Sequence, residues 1–135
     1  VVTVNQVHGN DIYVVGEEQA LTGYDAIICD KAGIKIMIKS ADCIPLVVAD
    51  EKEMIIAAIH AGWRSLTKDI ISLTLKKMLG MGAMCENIKV GIGPSIGFEC
   101  SEFSDPYNEI PEKFHYAIEG KKGDLSFCHF SQALV

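Results

Sequence analysis

Ile44-Pro45-Leu46-Val47-Val48-Ala49-Asp50, Glu51-Lys52-Glu53 and Met54-Ile55-Ile56-Ala57-Ala58-Ile59-His60 follow one another without a break. Two apolar runs bracket a charged triplet, which reads as strand, turn and strand. Valine and isoleucine suit a pleated, buried surface, and the charged triplet keeps the turn in water. Pro45 has no N–H to give a ladder, so it belongs near the strand's start or on an edge.

Upstream, residues 1–8 alternate apolar and polar and predict a half-buried strand ending at His8. His8-Gly9-Asn10-Asp11 then signals a turn before a short strand over 12–15. Thr22-Gly23-Tyr24-Asp25 is a second turn, leading into Ala26-Ile27-Ile28-Cys29, and residues 34–39 alternate strictly. Downstream of Trp63 the period changes. Leu66, Ile70, Leu73, Leu75 and Leu79 approximate helical spacing, Lys76 and Lys77 fall in the last turn, and Gly80 and Gly82 mark the end. Residues 88–92 predict a further strand, Gly93-Pro94-Ser95-Ile96-Gly97 a loop, and 111–118 a helix with proline in its first turn. Strands outnumber helices and come in hairpin-like succession. The pattern predicts an α+β fold, a mixed β-sheet with packed helices, in one domain over residues 1–135.

The chain has 135 residues, 49% hydrophobic and 22% charged, enough for one buried core and unlike a disordered segment. Its net charge of −6 and lack of a basic stripe argue against a nucleic-acid or membrane-surface binder, while leaving room for a small anionic substrate. Five cysteines at irregular spacings, with no CxxC pair, point to a reducing compartment, and no signal peptide or bilayer-length apolar run is visible; a cytoplasmic location is the expectation. The ends, Val1 and the apolar stretch 127–135, are patterned rather than polar, so the chain is expected to be incomplete at both ends.

Three chemically distinctive residues fall where the chain leaves the sheet. His8 ends the first strand, Cys43 follows Ser40-Ala41-Asp42 at a strand junction, and His60 precedes Ala61-Gly62-Trp63-Arg64. Two imidazoles and a thiolate suit a three-ligand zinc site with one open position. Spacings of 35 and 17 residues form no local motif of the HExxH or CxxC kind. Singly, each has an ordinary reading: a buried cysteine packs as a small hydrophobe, and a strand-end histidine is commonly a surface or capping group. Arg64 stands at a helix start, where a cation gains nothing from the dipole, which favours an anion-binding role such as phosphate. Asp42 reads as a group that orients a ligand, a proton carrier or a turn cap, and Trp63 as a core or base-stacking ring. The 93–97 loop lacks a P-loop pattern and reads as a wide turn, and His115 and His129 read as structural or solvent-facing.

Together, Gln6-Val7-His8-Gly9, Ser40-Ala41-Asp42-Cys43-Ile44-Pro45, His60-Ala61-Gly62-Trp63-Arg64 and Ile92-Gly93-Pro94-Ser95-Ile96-Gly97 resemble the YfiH family of laccase-domain proteins, in order and with family-like gaps. The resemblance implies an α+β fold and a zinc site made by His8, Cys43 and His60. It also implies phosphorolysis of adenosine, inosine, guanosine or methylthioadenosine, and deamination of adenosine, with purine nucleoside and phosphate as the partners. His8, Cys43, His60, Arg64 and Asp42 would then form the catalytic group. Departures are visible. Ser65 stands where the family has glycine, and Phe98-Glu99-Cys100-Ser101-Glu102-Phe103 replaces a cysteine-rich stretch followed by Tyr-Glu-Val.

Three other readings stay open. Cys43 with His60 or His8 as base would make a metal-free cysteine hydrolase. Copper is the alternative metal, since a His2Cys set suits it, but four histidines are too few for a trinuclear oxidase centre. A structural zinc or nucleotide-binding module would close the site with a fourth ligand from Cys29, Cys100 or His129.

Overall fold

The computed structural model describes residues 1–17, 20–122 and 125–128. By packing, the chain forms two compact units, residues 1–94 and residues from Ser95 onward. The first holds β1 (Val2–Thr3), β2 (Ile12–Val14), β3 (Ala26–Cys29), β4 (Ile36–Met37), β5 (Ile44–Asp50), β6 (Ile55–Ala61), α1 (Trp63–Leu66), α2 (Ile70–Gly80) and β7 (Ile88–Ile92). The second holds β8 (Glu102–Phe103), α3 (Pro106–Glu109), β9 (Ile118–Lys122) and β10 (Leu125–Cys128).

The first unit is built on a five-stranded sheet in the order β2-β3-β6-β5-β7. β2 runs parallel to β3, and the remaining neighbours are antiparallel, so the sheet is mixed as expected. The β5–β6 hairpin foreseen around the charged triplet pairs Ile44 with Ala61 through to Asp50 with Ile55. Every residue of β3 is buried, so it reads as a continuous apolar run without alternation. Ile27 and Cys29 join Val4, Tyr13 and Val15 in one cluster, capped by Val2 and Ile36 of the small β1–β4 sheet and by Ile34 and Ile38 beside it. α2 packs against β3 and β6. Ile27, Ile28 and Ile59 have no solvent exposure, and such a side chain contributes about 1.5–3 kcal/mol on burial.

Several predicted elements are shorter than expected. The strand over 1–8 shrinks to Val2–Thr3 plus a bridge at Asn5, because the Val7, His8 and Gly9 amides donate to the Asp25 carboxylate instead of a ladder. The strand over 34–39 is only Ile36–Met37, since the Lys39 amide donates to the Gln6 side chain. The helix after Trp63 is divided. Thr67 Oγ1 donates to the Arg64 carbonyl at 3.0 Å, and Asp69 adopts φ 61°, a left-handed turn that restarts the chain as α2. Its buried stripe is Ile70, Thr74 and Met78, while Leu73 and Leu79 face out.

The second unit is an antiparallel sheet in the order β8-β10-β9 with the short α3. The helix expected over 111–118 is a 3-10 stretch, Glu112–Ala117. His115 is structural: Nε2 donates to the Ile110 carbonyl at 2.8 Å and the ring meets Tyr107 edge-on. His129 lies outside the described residues.

Candidate metal centre

The hairpin register sets the site. Pairing Ile44 with Ala61 and Ala26 with Ile59 brings the start of β5, the end of β6 and the start of β3 to one sheet end. Cys43 immediately precedes β5, His60 lies near the end of β6, and Asp25 immediately precedes β3. His8 comes from the loop before β2, whose amides are tied to Asp25. The ligand atoms of His8, Cys43 and His60 all lie within 4.8 Å of one another. Cys43 Sγ stands 3.8 Å from His8 Nε2, and the two imidazoles meet edge to face at 4.8 Å between centroids.

Burial grades across the group, from His60 at 4% exposure through half-buried Cys43 to exposed His8. One side is sealed by protein and the other faces solvent. Gln6 grips Lys39 twice, Nε2 donating to its carbonyl and Oε1 accepting its amide, each at 2.7 Å. That clamp fastens the His8 loop to the Cys43 loop. The Ser40 hydroxyl donates to the Cys43 carbonyl, and both His8 and Asp42 take left-handed backbone angles, φ 57° and 75°. Left-handed non-glycine residues cluster where surrounding contacts over-determine the chain.

Burial first, then the Asp42 and Asp25 carboxylates, push the Cys43 thiol above the ordinary thiol range. Residues 1–128 match the model of the multi-copper polyphenol oxidoreductase laccase family. The chain belongs to this laccase-domain family. It is 37% identical over 102 residues to adenosine deaminase RL5 of an unknown prokaryotic organism, covering 76% of this chain and 39% of that protein. It is 30% identical over 124 residues to purine nucleoside phosphorylase ORF3 of Streptomyces griseus, covering 89% and 48%. The crystal structure of the hypothetical protein YfiH of Bacillus licheniformis superposes with a TM-score of 0.80 at 21% identity, over 97% of this chain and 56% of that one. The fold is therefore the YfiH fold, and the chain spans less than half the length of these two curated relatives.

In this laccase-domain chain the two imidazoles and the Cys43 sulfur make a group able to hold a metal ion, with no fourth side chain joining them among the described residues. Cys29 is engaged elsewhere: its sulfur accepts the Lys31 amide at 3.4 Å. Arg64 is exposed, and its guanidinium lies 4.2 Å above the Trp63 ring, so Trp63 serves as a platform for the cation. Gly93 is committed to packing: its amide donates to the Pro45 carbonyl at 2.9 Å, and a Cβ there would meet Pro45 Cγ at 2.8 Å.

Asp25 is the residue that sequence reasoning missed. It is wholly buried and accepts from His60 Nδ1 at 2.8 Å. A carboxylate set directly before four apolar residues was its signal, since a buried charge there needs partners.

Proposed function

We propose that this protein is a zinc-dependent purine nucleoside enzyme, acting by phosphorolysis of adenosine, inosine, guanosine or methylthioadenosine and by deamination of adenosine. The observation that carries the reading is the convergence of His8, Cys43 and His60 at one half-open sheet end. The names of the relatives, an adenosine deaminase and a purine nucleoside phosphorylase, supply the substrate class. Mixed nitrogen and sulfur donors suit zinc. Bound there, zinc supplies Lewis acidity and a nucleophile at neutral pH.

The remaining roles belong to the chain. His60 Nδ1 is held protonated by the buried Asp25 carboxylate, which leaves Nε2 as the donor atom. His8 and Cys43 close the group from the solvent side. Arg64, braced on Trp63, takes phosphate through its planar fork of donors. Asp42, exposed beside Cys43, carries a proton to the departing base. The rival cysteine hydrolase finds one support, the 3.8 Å approach of Cys43 to His8. Against it stands the upward push on the Cys43 thiol, which disfavours a free thiolate nucleophile.

The test is elemental analysis of protein purified without added metal, followed by incubation with adenosine with and without phosphate. Stoichiometric zinc, adenine formed only with phosphate, and inosine formed without it are the expected results. Copper in place of zinc moves the reading to the alternative metal. No turnover of adenosine by metal-loaded protein overturns it.

A further inference from the structure

Four N–H groups converge on the buried Asp25 carboxylate. Its Oδ1 accepts His60 Nδ1 at 2.8 Å and the His8 amide at 3.0 Å, while Oδ2 accepts the Val7 amide at 3.1 Å and the Gly9 amide at 2.7 Å. Three successive amides around a left-handed residue form an anion-binding concavity, and here the anion is this chain's own side chain. The Asp25 main chain joins in, its carbonyl accepting the His60 amide at 2.8 Å.

We infer that Asp25 is the positioning residue of the centre: one buried carboxylate fixes both the His60 tautomer and the left-handed His8 loop, so that the two imidazoles are set in place before any metal arrives. A carboxylate offers two oxygens and about four lone-pair sites, all of them filled here by N–H donors. An asparagine offers one oxygen and turns an NH2 toward donors, so it serves His60 with His8 or Val7 with Gly9, never both pairs. A left-handed angle is strained for a non-glycine residue such as His8, and the loop keeps it because the amides around it are satisfied. Fixing Nδ1–H on His60 leaves its Nε2 lone pair free for a ligand. Both effects act on donor geometry, so the inference rests on the metal-centre reading only for its zinc consequence.

The experiment uses metal-free protein labelled with 15N-histidine, observed through long-range proton–nitrogen correlations, together with zinc titration against a chromophoric chelator. Wild-type His60 is expected as the Nδ1–H tautomer, the minority form of a free imidazole side chain. Asp25→Asn is expected to give a mixture of tautomers and a zinc affinity weaker by about 10- to 100-fold. A wild-type His60 in the Nε2–H form overturns the inference, and so does an Asp25→Asn protein with unchanged tautomer and unchanged zinc affinity. Should Asp25→Asn fail to fold, the wild-type tautomer still decides. Absence of zinc binding by the wild type would count against the metal reading, while the tautomer result alone would then decide the role of Asp25.

Discussion

Gly62 presents a bare Cα to Cys43: a methyl group added there would lie 3.0 Å from the sulfur and 2.9 Å from His8 Cδ2. The backbone at Gly62 has φ −69° and ψ 160°, angles that any residue adopts. Glycine is therefore required for space, not for conformation. The tight neighbours are side chains of the candidate centre, so a larger residue is expected to displace them before it disturbs the fold.

Gly62→Ala is accordingly expected to fold with little loss of stability and to bind zinc at least about tenfold more weakly, in line with other displacements of metal-site geometry. Chelator competition beside thermal melting checks this. Equal weakening of fold and metal affinity would place Gly62 in the scaffold instead.

The raised Cys43 thiol gives a pH dependence. Without metal the group holds its proton through neutral pH, and metal binding must displace it. Zinc affinity is therefore expected to rise by about tenfold per pH unit from this proton alone, across the range below the thiol's own titration. Titrations at several pH values, and proton release into weak buffer, measure it. In Cys43→Ala the released proton disappears along with most of the affinity.

What could be read from the sequence, and what could not, follows from how local each signal is. The 44–60 hairpin declared itself because both strands and the turn lie within seventeen contiguous residues. His8, Cys43 and His60 stood out by residue type at strand ends, although their meeting depends on the pairing of β3, β6 and β5. Asp25 stayed hidden because its partners, Val7, His8, Gly9 and His60, are 16 to 35 residues away. The same carboxylate withdrew the 7–9 amides from the expected first strand, so one missed contact explains both errors. The helix break at Asp69 escaped the apolar period because the leucines on either side sustain it.

Asp50 performs a comparable task at the opposite end of the hairpin. It has no solvent exposure, and its carboxylate accepts the Met84 amide at 2.8 Å, Lys52 at 3.0 Å and Glu53 at 3.1 Å. The Met84 amide, foremost among these, holds the carboxyl below the usual carboxylate range despite burial. As pH falls the unfolded chain takes up this proton first, so the stabilisation present at neutral pH is lost through the acid range below about pH 4. Asp50→Asn should be clearly less stable than wild type at pH 7, with the difference closing in acid. Urea denaturation at pH 7 and pH 3 measures it, and a gap independent of pH would refute the assignment.

Ser65 offers a gain. Its side chain is fully buried, and its hydroxyl has no hydrogen-bond partner among the described residues. Such an orphan costs about 1–3 kcal/mol, and alanine is also the better helix former. Ser65→Ala is expected to raise stability by about 1 kcal/mol. Ser65→Gly removes the orphan too but costs about 1 kcal/mol of backbone freedom, leaving little net change. Thermal melts of the two variants separate these effects.

Arg64 gives the sharpest functional separation. Its guanidinium rests 4.2 Å above the Trp63 ring, which limits its rotamers without consuming its donors. Phosphorolysis consumes phosphate and deamination does not, so an arginine that holds phosphate should matter to one reaction alone. Arg64→Ala is expected to raise the KM for phosphate by about 10- to 100-fold, the worth of a charge-assisted bidentate contact, with adenosine deamination near wild type. Arg64→Lys should recover little, because an ammonium neither stacks as a plane nor binds through a fork. Trp63→Leu should reproduce part of the phosphate defect, since it removes the platform and leaves the charge. Steady-state kinetics with phosphate varied at fixed inosine, beside deamination rates on adenosine, read all three variants. A parallel fall in both activities would mean that Arg64 serves the fold or the nucleoside instead of the anion.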